Sequence, residues 1–134
     1  MSTQERCKFK VDKLIRDKLP QTMQASGIVV VQRTMDDGEY SMRLKDKLVE
    51  EVQEVLEVKD AKEMLEELAD VIEVVKALGD THGISFENIL KASCDKKETK
   101  GGFGDKIYVE RVELGHDHPS LSYYQTRMHK YPRL

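Results

Sequence analysis

A mainly α-helical fold follows from three features of the 134-residue sequence. Apolar residues recur at helical spacing over two long stretches, from about Asp36 to Val58 and from about Ala61 to Thr81. Asp36 or Asp37 is placed to cap the first, and Gly83 stops the second. Between them, the short polar break at Lys59-Asp60 reads as the turn of an antiparallel helix hairpin. Both arms of that hairpin carry acidic clusters, Glu50-Glu51-Val-Gln-Glu54 and Glu66-Glu67-Leu-Ala-Asp70.

Charge runs on helices are usually solvated faces, so the phase of each carboxylate matters. At about 100° per residue, Tyr40, Leu48 and Val55 fall within about 40° of Leu44 and define a core stripe. Glu51 lies about 20° from the centre of that stripe and Glu54 about 80° off, while Glu50 and Glu57 point away. An unpaired carboxylate in an apolar stripe costs several kcal/mol, so it needs a cation, a hydrogen-bond partner or a proton. On the second arm Leu65, Leu68, Ile72 and Val75 make the main stripe, and Glu67 shares a flank with Val71, Val74 and Leu78. Asp70 lies one turn further on. Each arm thus offers a carboxylate pair at i, i+3 on one surface. Glu51 and Glu54 facing Glu67 and Asp70 would form an all-oxygen cage of the kind Mg2+ or Mn2+ prefers. The absence of histidine from both clusters excludes the Glu-x-x-His pattern of di-iron bundles.

The pattern Glu51-x-x-Glu54, twelve residues, Glu67-x-x-Asp70 resembles the signature of MazG-like all-α nucleoside triphosphate pyrophosphohydrolases. Lys13-Leu-Ile-Arg16-Asp17-Lys18-Leu-Pro20 and Lys100-Gly101-Gly102-Phe103 are similar to the flanking motifs of a phosphoribosyl-ATP pyrophosphohydrolase-like subgroup. The likeness spans roughly residues 9 to 110. Lys100 stands where arginine is expected, which keeps the charge and loses the bidentate fork. The resemblance implies a MazG-like helical bundle and hydrolysis of a nucleotide at the α–β phosphate bond, to monophosphate and pyrophosphate, in nucleotide-pool house-cleaning. It also strengthens the reading of Arg16 and Lys18 as phosphate ligands over that of surface charges, provided that their loop folds over the acidic hairpin.

The remaining elements follow in chain order. Residues 1–7 form a polar leader, and Phe9, Val11 and Leu14 suit an irregular segment covering the core. Pro20 opens a short helix that Gly27 ends. Ile28–Val31 is β-branched and reads as a short strand, which needs a partner. Lys106–Leu114 is the candidate, giving a small β-hairpin or strand pair. A last helix runs from Phe86 to about Thr99. Its basic end places Lys97 and Lys100 at i, i+3, either as dipole-complementing charges or as a phosphate clamp. Gly101-Gly102 supplies a C-cap there. Phe103 is a core residue or a base contact. The domain is taken as residues 1–114, with 115–134 a tail rather than a second domain. His116-Asp117-His118 reads as a polar turn in that tail.

Composition bounds the alternatives. A net charge of −3 gives no general reason to bind nucleic acid or anionic membrane, and no apolar run approaches the roughly 20 residues of a transmembrane span. The N-terminus lacks the apolar region of a signal peptide. Cys7 and Cys94 fit inert thiols of a cytoplasmic protein. The apolar residues of the 61–81 helix cover more than half its circumference, so a homodimer or higher homo-oligomer is expected. Two functions remain in play. One is a Mg2+-dependent nucleotide pyrophosphohydrolase whose metal and catalytic residues are Glu51, Glu54, Glu67 and Asp70, with Arg16, Lys18, Lys97 and Lys100 on the substrate phosphates. The other is a non-catalytic helical dimerisation or interaction module, which explains poorly why Glu51 sits in a leucine stripe.

Overall fold

Two aspartates start the long helices of the computed structural model, which describes residues 5–134. Asp36 accepts the Glu39 N–H at 2.8 Å and opens a helix over Asp37–Glu57. Asp60 accepts the Glu63 N–H at 2.8 Å and opens another over Ala61–Thr81. Glu63 in turn accepts the Lys59 N–H at 3.0 Å, so the turn is fixed from both sides. With Leu19–Ala25 as α1, these two helices are α2 and α3; α4 spans Phe86–Lys100 and α5 Leu121–Gln125. The chain divides into two compact units, one ending at Lys96 and the other comprising Lys97–Leu134. Residues 1–4 of the expected polar leader lie outside the described residues.

The first unit is built on the α2–α3 hairpin, whose centre is Leu44, only 2% exposed, and Val74. Leu44 is the residue on which the α2 stripe is centred, and Tyr40, Leu48 and Val55 are half-buried with it. α3 differs from expectation. The face it turns inward carries Val74, buried, with half-buried Val71 and Leu78. Most of its expected main stripe is left open: Leu65 is 70% exposed, Leu68 and Ile72 are exposed too, and Val75 is half-buried. The helix has two apolar arcs, and the one carrying Val71, Val74 and Leu78 is the more buried.

Gly79 is buried near the end of α3, where a Cβ would come within 2.8 Å of the Ile84 carbonyl oxygen and 3.0 Å of Ile89 Cδ1. Glycine is what lets the chain reverse tightly into α4. Lys76 Nζ lies 5.0 Å from the Phe86 ring centroid across the same turn.

No strand forms among the described residues. Ile28–Val31 and Lys106–Leu114 do not pair, and Val31, Ile107 and Tyr108 are exposed. A β-branched run without ladder partners gains nothing from its propensity. In the second unit Phe103 is fully exposed, so it is not a core residue. Three tyrosines hold the C-terminal segment instead: Tyr124 packs edge-on against Tyr123 and Tyr131 at centroid distances of 5.2 and 5.1 Å. The Arg127 guanidinium lies 4.0 Å from the Tyr123 ring centroid.

Candidate metal–phosphate site

α2 and α3 run antiparallel through a three-residue turn, which sets Glu51 on one arm opposite Glu67 and Asp70 on the other. One carboxylate oxygen from each of these three residues lies within 4.8 Å of the others. Glu51 is 8% exposed, whereas Glu67 and Asp70 are half-buried. Opposed oxygens around a Mg2+ stand about 4.2 Å apart, given metal–oxygen distances near 2.1 Å. Of three donors at most one pair can be opposed and the others stand about 3.0 Å apart, so the three carboxylates would have to draw together to hold such an ion. Hard oxygen donors on rigid helices, one buried, fit a Mg2+ or Mn2+. Glu54, the fourth expected ligand, is exposed and stands outside this group, although its charge reaches Glu67.

Electrostatics single out Glu67. Partial burial pushes its pKa up, and the charges of Asp70, Glu54, Glu51 and Glu66 add to the effect in that order. Its two neighbours already have cations. Lys47 Nζ lies 3.5 Å from Glu51 and 3.3 Å from Glu50. Arg16 donates from Nη2 to Asp70 Oδ1 at 2.7 Å. Among the described residues no ion pair forms to Glu67, so the repulsion of the cluster is concentrated on it.

The loop before α1 does fold over the hairpin. Its Leu14 and Ile15 are half-buried, Lys13 Nζ reaches Glu50 on α2 at 3.4 Å, and Arg16 reaches Asp70 on α3. Of the expected phosphate ligands, Arg16 is thus at the carboxylates. Lys18 is exposed and forms the N-cap position of α1. Lys97 and Lys100 belong to the second unit, exposed in the last turn of α4. The Gly101 N–H donates to the Lys97 carbonyl at 2.9 Å, and Gly101 takes a φ of +82°, the left-handed cap expected of it. Lys47 joins the cluster from outside the expected site residues, and its i, i+4 spacing to Glu51 is the ordinary sequence signal of a helical ion pair. Shallow depressions at the two ends of the hairpin include none of these carboxylates.

An all-α hairpin with carboxylates converging from both arms defines a class of helical protein suited to binding a divalent cation. Residues 41–112 match the model of the MazG-like family. That is more than half the chain, and it belongs to this family. The matched span contains Glu51, Glu54, Glu67, Asp70, Lys97 and Lys100, and leaves out the loop carrying Arg16 and Lys18. No curated protein and no solved structure matches the chain.

Proposed function

We propose that this protein is a Mg2+-dependent nucleotide pyrophosphohydrolase of the cytoplasm, cleaving between the α and β phosphates in nucleotide-pool house-cleaning. The observation that carries the reading is the convergence of Glu51, Glu67 and Asp70 at the centre of a MazG-like hairpin. In this reading those three residues hold the ion, and Glu54 completes the set from the edge of the cluster. The ion, when bound, offsets triphosphate charge and makes water more acidic at the site. The chain's own groups do the rest. Arg16 and Lys18 bind phosphoryl oxygens from the loop over the hairpin, and a carboxylate not engaged by metal orients the attacking water. The test is a panel of canonical and modified nucleoside triphosphates with Mg2+. Pyrophosphate should be released and chelator should stop it; orthophosphate alone would mean that another bond is cut.

Lys97 and Lys100 are assigned to the substrate on their i, i+3 spacing and the resemblance of the following Gly101-Gly102-Phe103. Alanine at either should lower turnover while leaving stability within about 0.5 kcal/mol, as for other exposed positions. Urea titrations run beside the kinetics check this. A loss of folding with intact specific activity would make the pair structural.

Assembly belongs to the same reading. Beyond the open stripe Leu65-Leu68-Ile72 on α3, α2 exposes Val49, Val52 and Leu56. Soluble monomers seldom leave so much aliphatic surface open, so a homodimer or higher homo-oligomer is expected. Light scattering at micromolar concentration should return a multiple of 15.4 kDa, and a monomer would refute it. These open stripes also favour the second reading, a non-catalytic dimerisation module. That module predicts no Mg2+-dependent hydrolysis and no response to charge-neutral changes in the carboxylates.

A further inference from the structure

The loop over the hairpin brings a cation onto a carboxylate that the proposed metal site needs. Arg16 makes a single 2.7 Å bond to Asp70 Oδ1, and both side chains remain substantially open to water, at 54% and 38% exposure. Pairs this exposed are weak and easily exchanged. The anchoring of the loop does not depend on that bond. Leu14 and Ile15 are half-buried and keep the loop in place, while the Lys13–Glu50 pair, at 3.4 Å and similarly open to water, lies outside the cluster. Arg16 can therefore leave Asp70 while its backbone stays over the site.

We propose that Arg16 is an exchanging counter-cation: it neutralises Asp70 while no divalent ion is bound, then releases it and takes up a phosphoryl oxygen of the substrate. The inference rests on the metal–phosphate reading above. Charge has to be balanced at the site in both states. Without an ion, the converging carboxylates of Glu51, Glu67 and Asp70 repel one another, and a guanidinium on Asp70 offsets part of that cost. With the ion present, a guanidinium on the same carboxylate is repelled by its charge, and the phosphate charge arriving with the substrate is the next anion within reach. Arginine suits both partners, since its fork matches carboxylate and phosphate alike. The exchange would couple the two ligands: an ion frees the arginine, and the freed arginine strengthens substrate binding.

Isothermal titration of the full-length protein tests this with two probes, Mn2+ alone and inorganic tripolyphosphate added to the Mn2+-saturated protein. Arg16→Gln removes the competitor, so Mn2+ should bind about three- to fivefold more tightly, the factor by which an exposed pair would compete. The same variant should bind tripolyphosphate more weakly, on the order of tenfold, the loss of one charge-assisted contact. Opposite signs for the two probes are the signature of exchange. Lys13→Gln, which removes a charge from the same loop but not from the cluster, should leave Mn2+ affinity within about twofold, as expected for a charge paired at the surface. Equal tightening in both variants would reduce the effect to the general field of the loop and overturn the proposal. Unchanged or weaker Mn2+ binding in Arg16→Gln would overturn it as well, as would tripolyphosphate binding that is unaffected. If the parent binds Mn2+ but not tripolyphosphate, the exchange fails while the metal site stands. If the parent binds no Mn2+, the metal–phosphate reading fails and takes the exchange with it. Circular dichroism of both variants separates these outcomes from unfolding.

Discussion

Truncating Leu44 to alanine should destabilise the protein by about 2–5 kcal/mol, the usual range for a buried leucine. The upper half of that range is expected here. Leu44 is 2% exposed, and the hairpin has few other buried apolar residues to take up the lost contacts. A domain of ordinary stability, about 5–15 kcal/mol, would lose a large share of it. Urea unfolding followed by circular dichroism gives the number. Leu65→Ala provides the contrast, because that side chain is 70% exposed in the single chain. In a monomer it should change stability by no more than about 0.5 kcal/mol. In an oligomer that covers the open stripe, its cost should instead depend on protein concentration, since association and folding are then linked. A tolerated Leu44→Ala would show that the inner face of α2 is not the core.

Much of the first unit was legible in the sequence because α2 obeys a single period. Leu44, Leu48 and Val55 mark one face, and Glu51 follows from the same phase. α3 was harder, because it carries two apolar arcs. Periodicity finds both and cannot say which meets α2: the richer arc of Leu65, Leu68 and Ile72 stayed open, and the poorer one with Val71 and Val74 packed inward. Ile28–Val31 has β-branched composition, but pairing is a tertiary property and no ladder formed. The contact of Arg16 with Asp70 joins residues 54 apart in the chain, a separation no local pattern encodes. α5 is five residues long, too short for a helical period to register, and it is held by Tyr124 and its ring contacts with Tyr123 and Tyr131.

Glu67→Gln should produce a sign change that separates a metal site from a structural salt-bridge network. Glu67 is the carboxylate of the cluster with no cation of its own among the described residues, so the amide strands no charge. Its pKa is raised in the folded protein, chiefly by partial burial and then by Asp70, Glu54, Glu51 and Glu66. A raised carboxylate pKa means that the folded state holds the proton more firmly than the unfolded chain does. The associated stability is complete below the ordinary glutamate range and is lost as pH rises through the folded value. Above that value the ionised parent has lost it, and glutamine, which resembles the protonated form, should regain it. In chelator the variant should therefore melt at the same temperature as the parent or higher. Adding Mg2+ reverses the order. The parent gains stability by mass action, about 1.4 kcal/mol at tenfold over its dissociation constant, while the variant, short of one ligand, gains much less. Hydrolysis should fall by more than roughly 100-fold, since even residues that only support metal ligands cost 10- to 100-fold. Glu51→Gln is the less clean probe, because Lys47 at 3.5 Å loses a partner there, though it keeps Glu50. Thermal melts of parent and Glu67→Gln, each with chelator and with millimolar Mg2+, read all of this. A Glu67→Gln protein that melts well below the parent in chelator, with the same deficit in Mg2+, would refute the metal site and leave the cluster a structural network.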